Sequence, residues 1–120
     1  MTKPNLPLCF IHYLDRGCPN EEKFFDYMMS YCPMHNVQKG AKYPNMLLTA
    51  GLHDPRVQYW EPTKFAATIR HTASDDTIVA LKVDMVAGHF SASDRYKYLK
   101  ELAFDYAFLL SQLGIVEGTD

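Results

Sequence analysis

The sequence has no Gly-x-Ser-x-Gly motif, no paired cysteine spacing, no long apolar run and no excess of charge of either sign. Its 12 basic and 14 acidic side chains give a net charge of -2. That balance leaves no electrostatic footprint for a phosphate backbone and excludes a strongly basic nucleic-acid binder. The most apolar early stretch, Leu6 to Leu14, is interrupted by Pro7 and His12 and followed by Asp15 and Arg16. Only Lys3 is charged upstream of it and no small-residue cleavage site follows, so it does not read as a secretory signal. A membrane-spanning helix needs about 20 consecutive apolar residues, and no run approaches that length. The cysteines are Cys9, Cys18 and Cys32, an odd number. This suits free thiols in a reducing compartment better than a disulfide framework. Cys32 and His35 have the spacing of half a zinc site, but no second close pair completes it, and no metal is expected.

What is present is ordinary. The chain has 120 residues, 48% apolar and 22% charged, the balance of a soluble globular protein. That length allows one domain at most, or a slice of a larger one.

The pattern predicts helix, strand, helix, strand, helix. Asn20 reads as an N-cap, with Glu21 and Glu22 in a first turn where the helix dipole favours acids. Phe24, Phe25, Met28 and Tyr31 would face inward, and the helix would stop before Pro33. Met46 to Ala50 is a short apolar run ending at Gly51, the signature of a parallel strand buried on both faces. Trp60-Glu61-Pro62 opens a second helix, with Phe65, Ala66 and Ile69 on its inner face. Ser74-Asp75-Asp76 turns the chain into a second strand over Thr77 to Met85. Ser91 and Asp94 have capping-box spacing ahead of a third helix. Its apolar residues Tyr96, Leu99, Ala103, Tyr106, Leu110 and Leu113 recur at helical intervals, and Gly114 would end it. Two parallel strands and their crossover helix cannot hide both faces of a sheet, so this α/β set reads as incomplete.

In open α/β sheets, chemistry collects beyond the carboxyl ends of the strands. Asp54 follows the first strand and His89 the second, in the order aspartate then histidine expected of α/β-hydrolases. An aspartate accepting from the imidazole Nδ1–H fixes the tautomer and stabilises the imidazolium formed when Nε2 takes a proton. An aspartate after a strand is also a common turn or capping residue, and that reading stays open. The nucleophile is missing: none of the six glycines brackets a serine. Ser30, Ser74, Ser91, Ser93 and Ser111 all read as helix, turn or cap residues.

These residues resemble a family. The segment Tyr43-Pro44-Asn45-Met46-Leu47-Leu48-Thr49-Ala50-Gly51-Leu52-His53-Asp54-Pro55-Arg56-Val57-Gln58-Tyr59-Trp60-Glu61-Pro62 is similar to the stretch around the catalytic aspartate of the prolyl oligopeptidase family of serine peptidases, in its oligopeptidase B branch. Ala87-Gly88-His89-Phe90-Ser91-Ala92-Ser93-Asp94-Arg95-Tyr96 resembles the stretch around the catalytic histidine, and residues 20–28 resemble the segment ahead of both. The likeness runs from about Gly17 to Leu113 and leaves residues 1–18 as a divergent N-terminal segment.

The resemblance implies the C-terminal portion of an α/β-hydrolase domain over residues 1–120. Asp54 would orient His89, His89 would act as general base and then acid, and Arg56 would hold a substrate carbonyl. It also implies a cytoplasmic location, short peptides as substrates of a longer parent, and no metal or organic cofactor. Nucleic-acid and membrane partners are not expected. The stretch His12-Tyr13-Leu14-Asp15-Arg16-Gly17 keeps only Asp15 of the acidic side chains expected there, which weakens the case for a basic residue at the cleavage position. Alone, the chain is expected to be inactive. The other reading is a truncated, inactive paralogue that serves as an interaction module, with an exposed sheet edge open to self-association.

Overall fold

Met46–Gly51 forms strand β1 and Val79–Asp84 forms strand β2. The strands pair in parallel, from Met46 opposite Val79 to Gly51 opposite Asp84. The structure is a computed structural model and describes residues 15–74, 76–88 and 95–115. Helix α1 spans Glu22–Tyr31, a 3-10 turn follows at Pro33–Asn36, α2 spans Trp60–Thr72 between the strands, and α3 spans Arg95–Gln112 after them. The observed order is therefore αβαβα, as the residue pattern predicts.

The core lies where α2 crosses the sheet. Ala66 and Ile69, three residues apart on one helical face, are each 1% exposed and meet Val79 of β2. Val37, Tyr43, Met46, Leu48, Phe65, Ala73 and Leu81 pack around them. Side chains three apart on a helix lie on one face, which is why Ala66 and Ile69 reach the sheet together. The entrance to both strands is closed by polar contacts: Ile78 donates its N–H to Asn45 Oδ1 at 2.9 Å, and Arg70 donates through Nε and Nη2 to the Val79 carbonyl.

Several local expectations are corrected. The N-cap of α1 is Glu21, not Asn20, and it makes no side-chain capping bond; its carbonyl accepts from Phe24 and Phe25 instead. Strand β1 is not buried on both faces, because α2 covers one face and the described residues leave Thr49 exposed. Strand β2 is shorter than expected: Met85 lies outside it and is 63% exposed. The apolar stripes of α1 and α3 exist but find no core among the described residues. Phe25 and Tyr31 of α1, and Tyr96, Leu99, Tyr106 and Leu110 of α3, stay exposed. Ser91 and Asp94 lie outside the described residues.

The end of α3 follows its sequence closely. Gly114 adopts φ +71°, with Gly114 N–H bonded to the Ser111 carbonyl and Ile115 N–H to that of Leu110. That is a Schellman motif, which needs a residue tolerant of the left-handed region.

Among the described residues the sheet has two strands; α2 packs on one face, and α3 lies over part of the other, where the Lys82 ammonium stands over the Phe104 ring and Asp84 pairs with Lys97.

Candidate functional site

Both strands end side by side and both turn at once. Leu52 N–H donates to the Asp84 carbonyl at 2.8 Å, and His53 N–H to the Ala87 carbonyl at 3.1 Å. The loop after β1 and the loop after β2 are thus joined backbone to backbone. Gly51 is buried at this junction. A Cβ there would stand 2.5 Å from the Gly88 carbonyl oxygen and 2.6 Å from that of Ala87. Glycine is required by the close approach of two backbone segments, not by an unusual φ.

Asp54 sits in the first of these loops and is 9% exposed. Its Oδ1 accepts from Arg56 N–H at 2.7 Å and from Val57 N–H at 3.0 Å. Burying a carboxylate is costly unless it is hydrogen-bonded, and the two amides meet that need while fixing the side chain's rotamer. The turn-forming role expected of an aspartate here is therefore realised, and it places a held carboxylate at the strand end. Arg56, two residues on, has an exposed side chain.

His89 lies outside the described residues. The described chain reaches Gly88, where a Cβ would be 3.7 Å from the carbonyl oxygen of His53. The residue before His89 therefore abuts the residue before Asp54.

The residue that sequence reasoning overlooked is Asp84. It reads as an outward position of an alternating strand. In the structure its Oδ1 accepts from Val86 N–H at 2.8 Å and Ala87 N–H at 3.0 Å, and its Oδ2 meets Lys97 Nζ of α3 at 2.5 Å. The Lys97 ammonium, with the Val86 and Ala87 amides behind it, holds the Asp84 carboxyl well below the usual carboxylate range against the opposing pull of burial. A sequence signal existed: Asp54 and Asp84 each accept the amides two and three residues on, the Asx-type pattern of a chain leaving a strand.

A cleft of about 260 Å³ between the sheet and α3 touches both carboxylates, with Gly51, Gly88, Tyr98 and Glu101 among its walls. A wider, open concavity of about 780 Å³ is lined by Asp15, Arg16, Glu21, Phe24 and Tyr31. It holds the two charged residues that the sequence singled out near the N-terminus. Among the described residues no cluster of metal ligands occurs. Cys32 Sγ and His35 Nδ1 are 3.0 Å apart and satisfy each other. No helix of the described residues is long and apolar enough to cross a membrane.

Comparison with known proteins agrees with this arrangement. Residues 1–116 match the model of the prolyl oligopeptidase family, and the chain belongs to that family. It is 40% identical over 115 residues to Protease 2 of Moraxella lacunata, covering 96% of this chain and 16% of that protein. It is 39% identical to dipeptidyl aminopeptidase BI of Pseudoxanthomonas mexicana over the same shares. Among solved structures it resembles oligopeptidase B from Leishmania major, with TM-score 0.88 and 46% identity over 94% of this chain and 16% of that one. It also resembles oligopeptidase B from Trypanosoma brucei with covalently bound antipain, in a closed form, with TM-score 0.88 and 49% identity over 98% of this chain and 16% of that one.

The fold is accordingly of the α/β-hydrolase type, with an incomplete sheet of two parallel strands and flanking helices. The chain spans about 16% of the length of these relatives.

Proposed function

We propose that this chain supplies the aspartate and histidine of a Ser-His-Asp peptidase, as the C-terminal portion of its α/β-hydrolase domain over residues 1–120, with residues 1–18 a divergent lead-in. The observation that carries the reading is the junction of the two strand-end loops. Backbone bonds bring the residue before His89 against the residue before Asp54. Asp54, held by two amides, would accept from the imidazole Nδ1–H of His89. Nε2 would take the proton of a serine contributed from elsewhere in a longer polypeptide and later return it to the leaving amine. Arg56, exposed in the Asp54 turn, would donate to a carbonyl of a short peptide substrate. This chemistry runs on side chains and calls for no metal or organic cofactor. The reading carries with it a cytoplasmic location.

The chain is tested by transplanting it into Moraxella lacunata Protease 2 in place of the matching 115 residues. The chimera is expected to cleave a peptide that the unaltered relative cleaves, and His89→Ala is expected to reduce turnover to a small residual rate. Retention of full turnover by the His89→Ala chimera would overturn the assignment. The isolated chain is expected to stay unlabelled by a fluorophosphonate, because the serine motif is absent; stoichiometric labelling would contradict it.

The exposure of large apolar side chains along α3 favours a second reading, an inactive paralogue serving as a binding module. An inactive chimera that folds and assembles normally would support that reading over the first.

A further inference from the structure

We infer that Asp84 and Lys97 form a brace that positions the segment bearing His89. The inference rests on the proposed role of His89 and adds a positioning pair to it. One carboxylate governs both ends of the stretch between them. Its Oδ1 takes the amides of Val86 and Ala87, which fixes how the chain leaves β2. Its Oδ2 takes the ammonium of Lys97, which anchors the first turn of α3, where the stretch ends. The entry side is also tied to the Asp54 loop, through His53 N–H on the Ala87 carbonyl. A shift at Asp84 would therefore move the chain at Ala87, two residues before His89, relative to the Asp54 loop.

An exposed ion pair contributes little, and Lys97 is 40% exposed. Asp84 differs from a surface carboxylate in two respects: its side chain is 15% exposed, and it bonds to two backbone amides as well as the ammonium. Anchoring through one residue shortens the loop that must be held in place, and closing a short loop costs less entropy than closing a long one. Displacing a reacting group by about 1 Å can cost on the order of 100-fold in rate, so a brace of this kind can govern turnover without touching substrate.

The experiment uses the chimera described above, in two backgrounds. With His89 present, Asp84→Ala is expected to lower kcat ~10- to 100-fold with KM within about 2-fold, since the substrate contacts are elsewhere. Lys97→Met should lower kcat less, and Lys97→Arg should restore most of it. With His89→Ala, Asp84→Ala is expected to leave the residual rate unchanged, because a residue acting through His89 has nothing left to position. Thermal unfolding of each variant confirms that the protein compared is folded, and the milder Lys97→Met stands in if Asp84→Ala does not fold. An unchanged kcat in folded Asp84→Ala or Lys97→Met, or an equal fractional loss with and without His89, would overturn the brace while leaving His89's role intact. Full activity of the His89→Ala chimera would instead remove the catalytic reading, and the brace with it.

Discussion

Replacing Gly51 by alanine tests the junction of the two strand-end loops directly. The added Cβ would sit 2.5 Å from the Gly88 carbonyl oxygen, about 0.9 Å inside the 3.4 Å at which ordinary van der Waals contact begins. Both neighbours are backbone, so neither can rotate away as a side chain would. The loops must part by most of that distance, which strains or breaks the Leu52–Asp84 and His53–Ala87 hydrogen bonds. Overpacking of this kind costs about 1–3 kcal/mol, and each lost backbone bond adds roughly 1 kcal/mol. A separation near 1 Å between the Asp54 and His89 loops should also lower kcat by on the order of 100-fold. Urea unfolding and steady-state kinetics of the chimera measure the two effects separately. Gly114→Ala is the control: Gly114 has φ +71° and open space around it, so alanine there costs roughly 1–2 kcal/mol of left-handed strain at the end of α3 with kcat unchanged. If Gly51→Ala behaves like Gly114→Ala, losing stability but not kcat, the argument that this junction aligns the two loops is wrong.

Three further outcomes are expected. Ile69→Ala should cost about 2–5 kcal/mol. In a core whose buried apolar members are Ala66, Ile69 and Val79, that should abolish a cooperative transition in thermal circular dichroism; a sharp transition that survives would show that the core extends beyond them. Asp84 has a depressed folded-state pKa, so its stabilising contribution is present above the unfolded carboxylate value of roughly 3.9 and is lost as the pH falls from there toward the lower folded value. Urea midpoints measured between about pH 2 and 6 should fall more steeply toward acid in the wild type than in Asp84→Asn; equal slopes would mean that the Asp84 contacts carry no linkage. The exposed apolar side chains of α3 and the edges of the two-stranded sheet, unpaired among the described residues, should make the isolated chain associate with itself in sedimentation velocity. A monodisperse, cooperatively unfolding monomer at all concentrations would refute that.

The fold was legible in the sequence wherever a pattern had a partner within the chain. The strand at Met46 to Ala50, though not its burial on both faces, the Trp60-Glu61-Pro62 helix start and the Ala66–Ile69 face all appear where the pattern puts them, because α2 and the two strands complete one another. Gly114 was legible for a local reason: helix termination needs only the chain's own hydrogen bonds. The stripes of α1 and α3 are periodic as the sequence reads, but Phe25 and Tyr31, expected to face inward on α1, are exposed, since periodicity reports which face is apolar and not what covers it. Asn20 failed as a cap because the turn from Cys18 to Glu21 sets the helix start one residue later. Asp84 was missed because strand alternation hides a residue whose partners are its own following amides and a lysine on α3.

Asp54 and Asp84 use the same device, so the device cannot be what makes one of them catalytic. Each closes a turn through Oδ1 with the amides two and three residues on. The difference lies in the work required of the remaining oxygen: Asp84 gives Oδ2 to an ammonium on α3, whereas the proposed chemistry requires Asp54 to serve the imidazole of His89. Asparagine separates the two functions, because its carbonyl oxygen can keep both turn bonds while its amide cannot accept from an imidazole N–H. Asp54→Asn in the chimera should therefore unfold within about 1 kcal/mol of the parent, the worth of a typical hydrogen bond. Its kcat should drop by roughly 1,000- to 10,000-fold, the scale set when a triad aspartate loses its hold on the histidine tautomer. The same change at Asp84 should cost far less in kcat, since it weakens a brace and leaves the proton path intact. A folded Asp54→Asn chimera with ordinary turnover would reduce Asp54 to the turn residue that it also is.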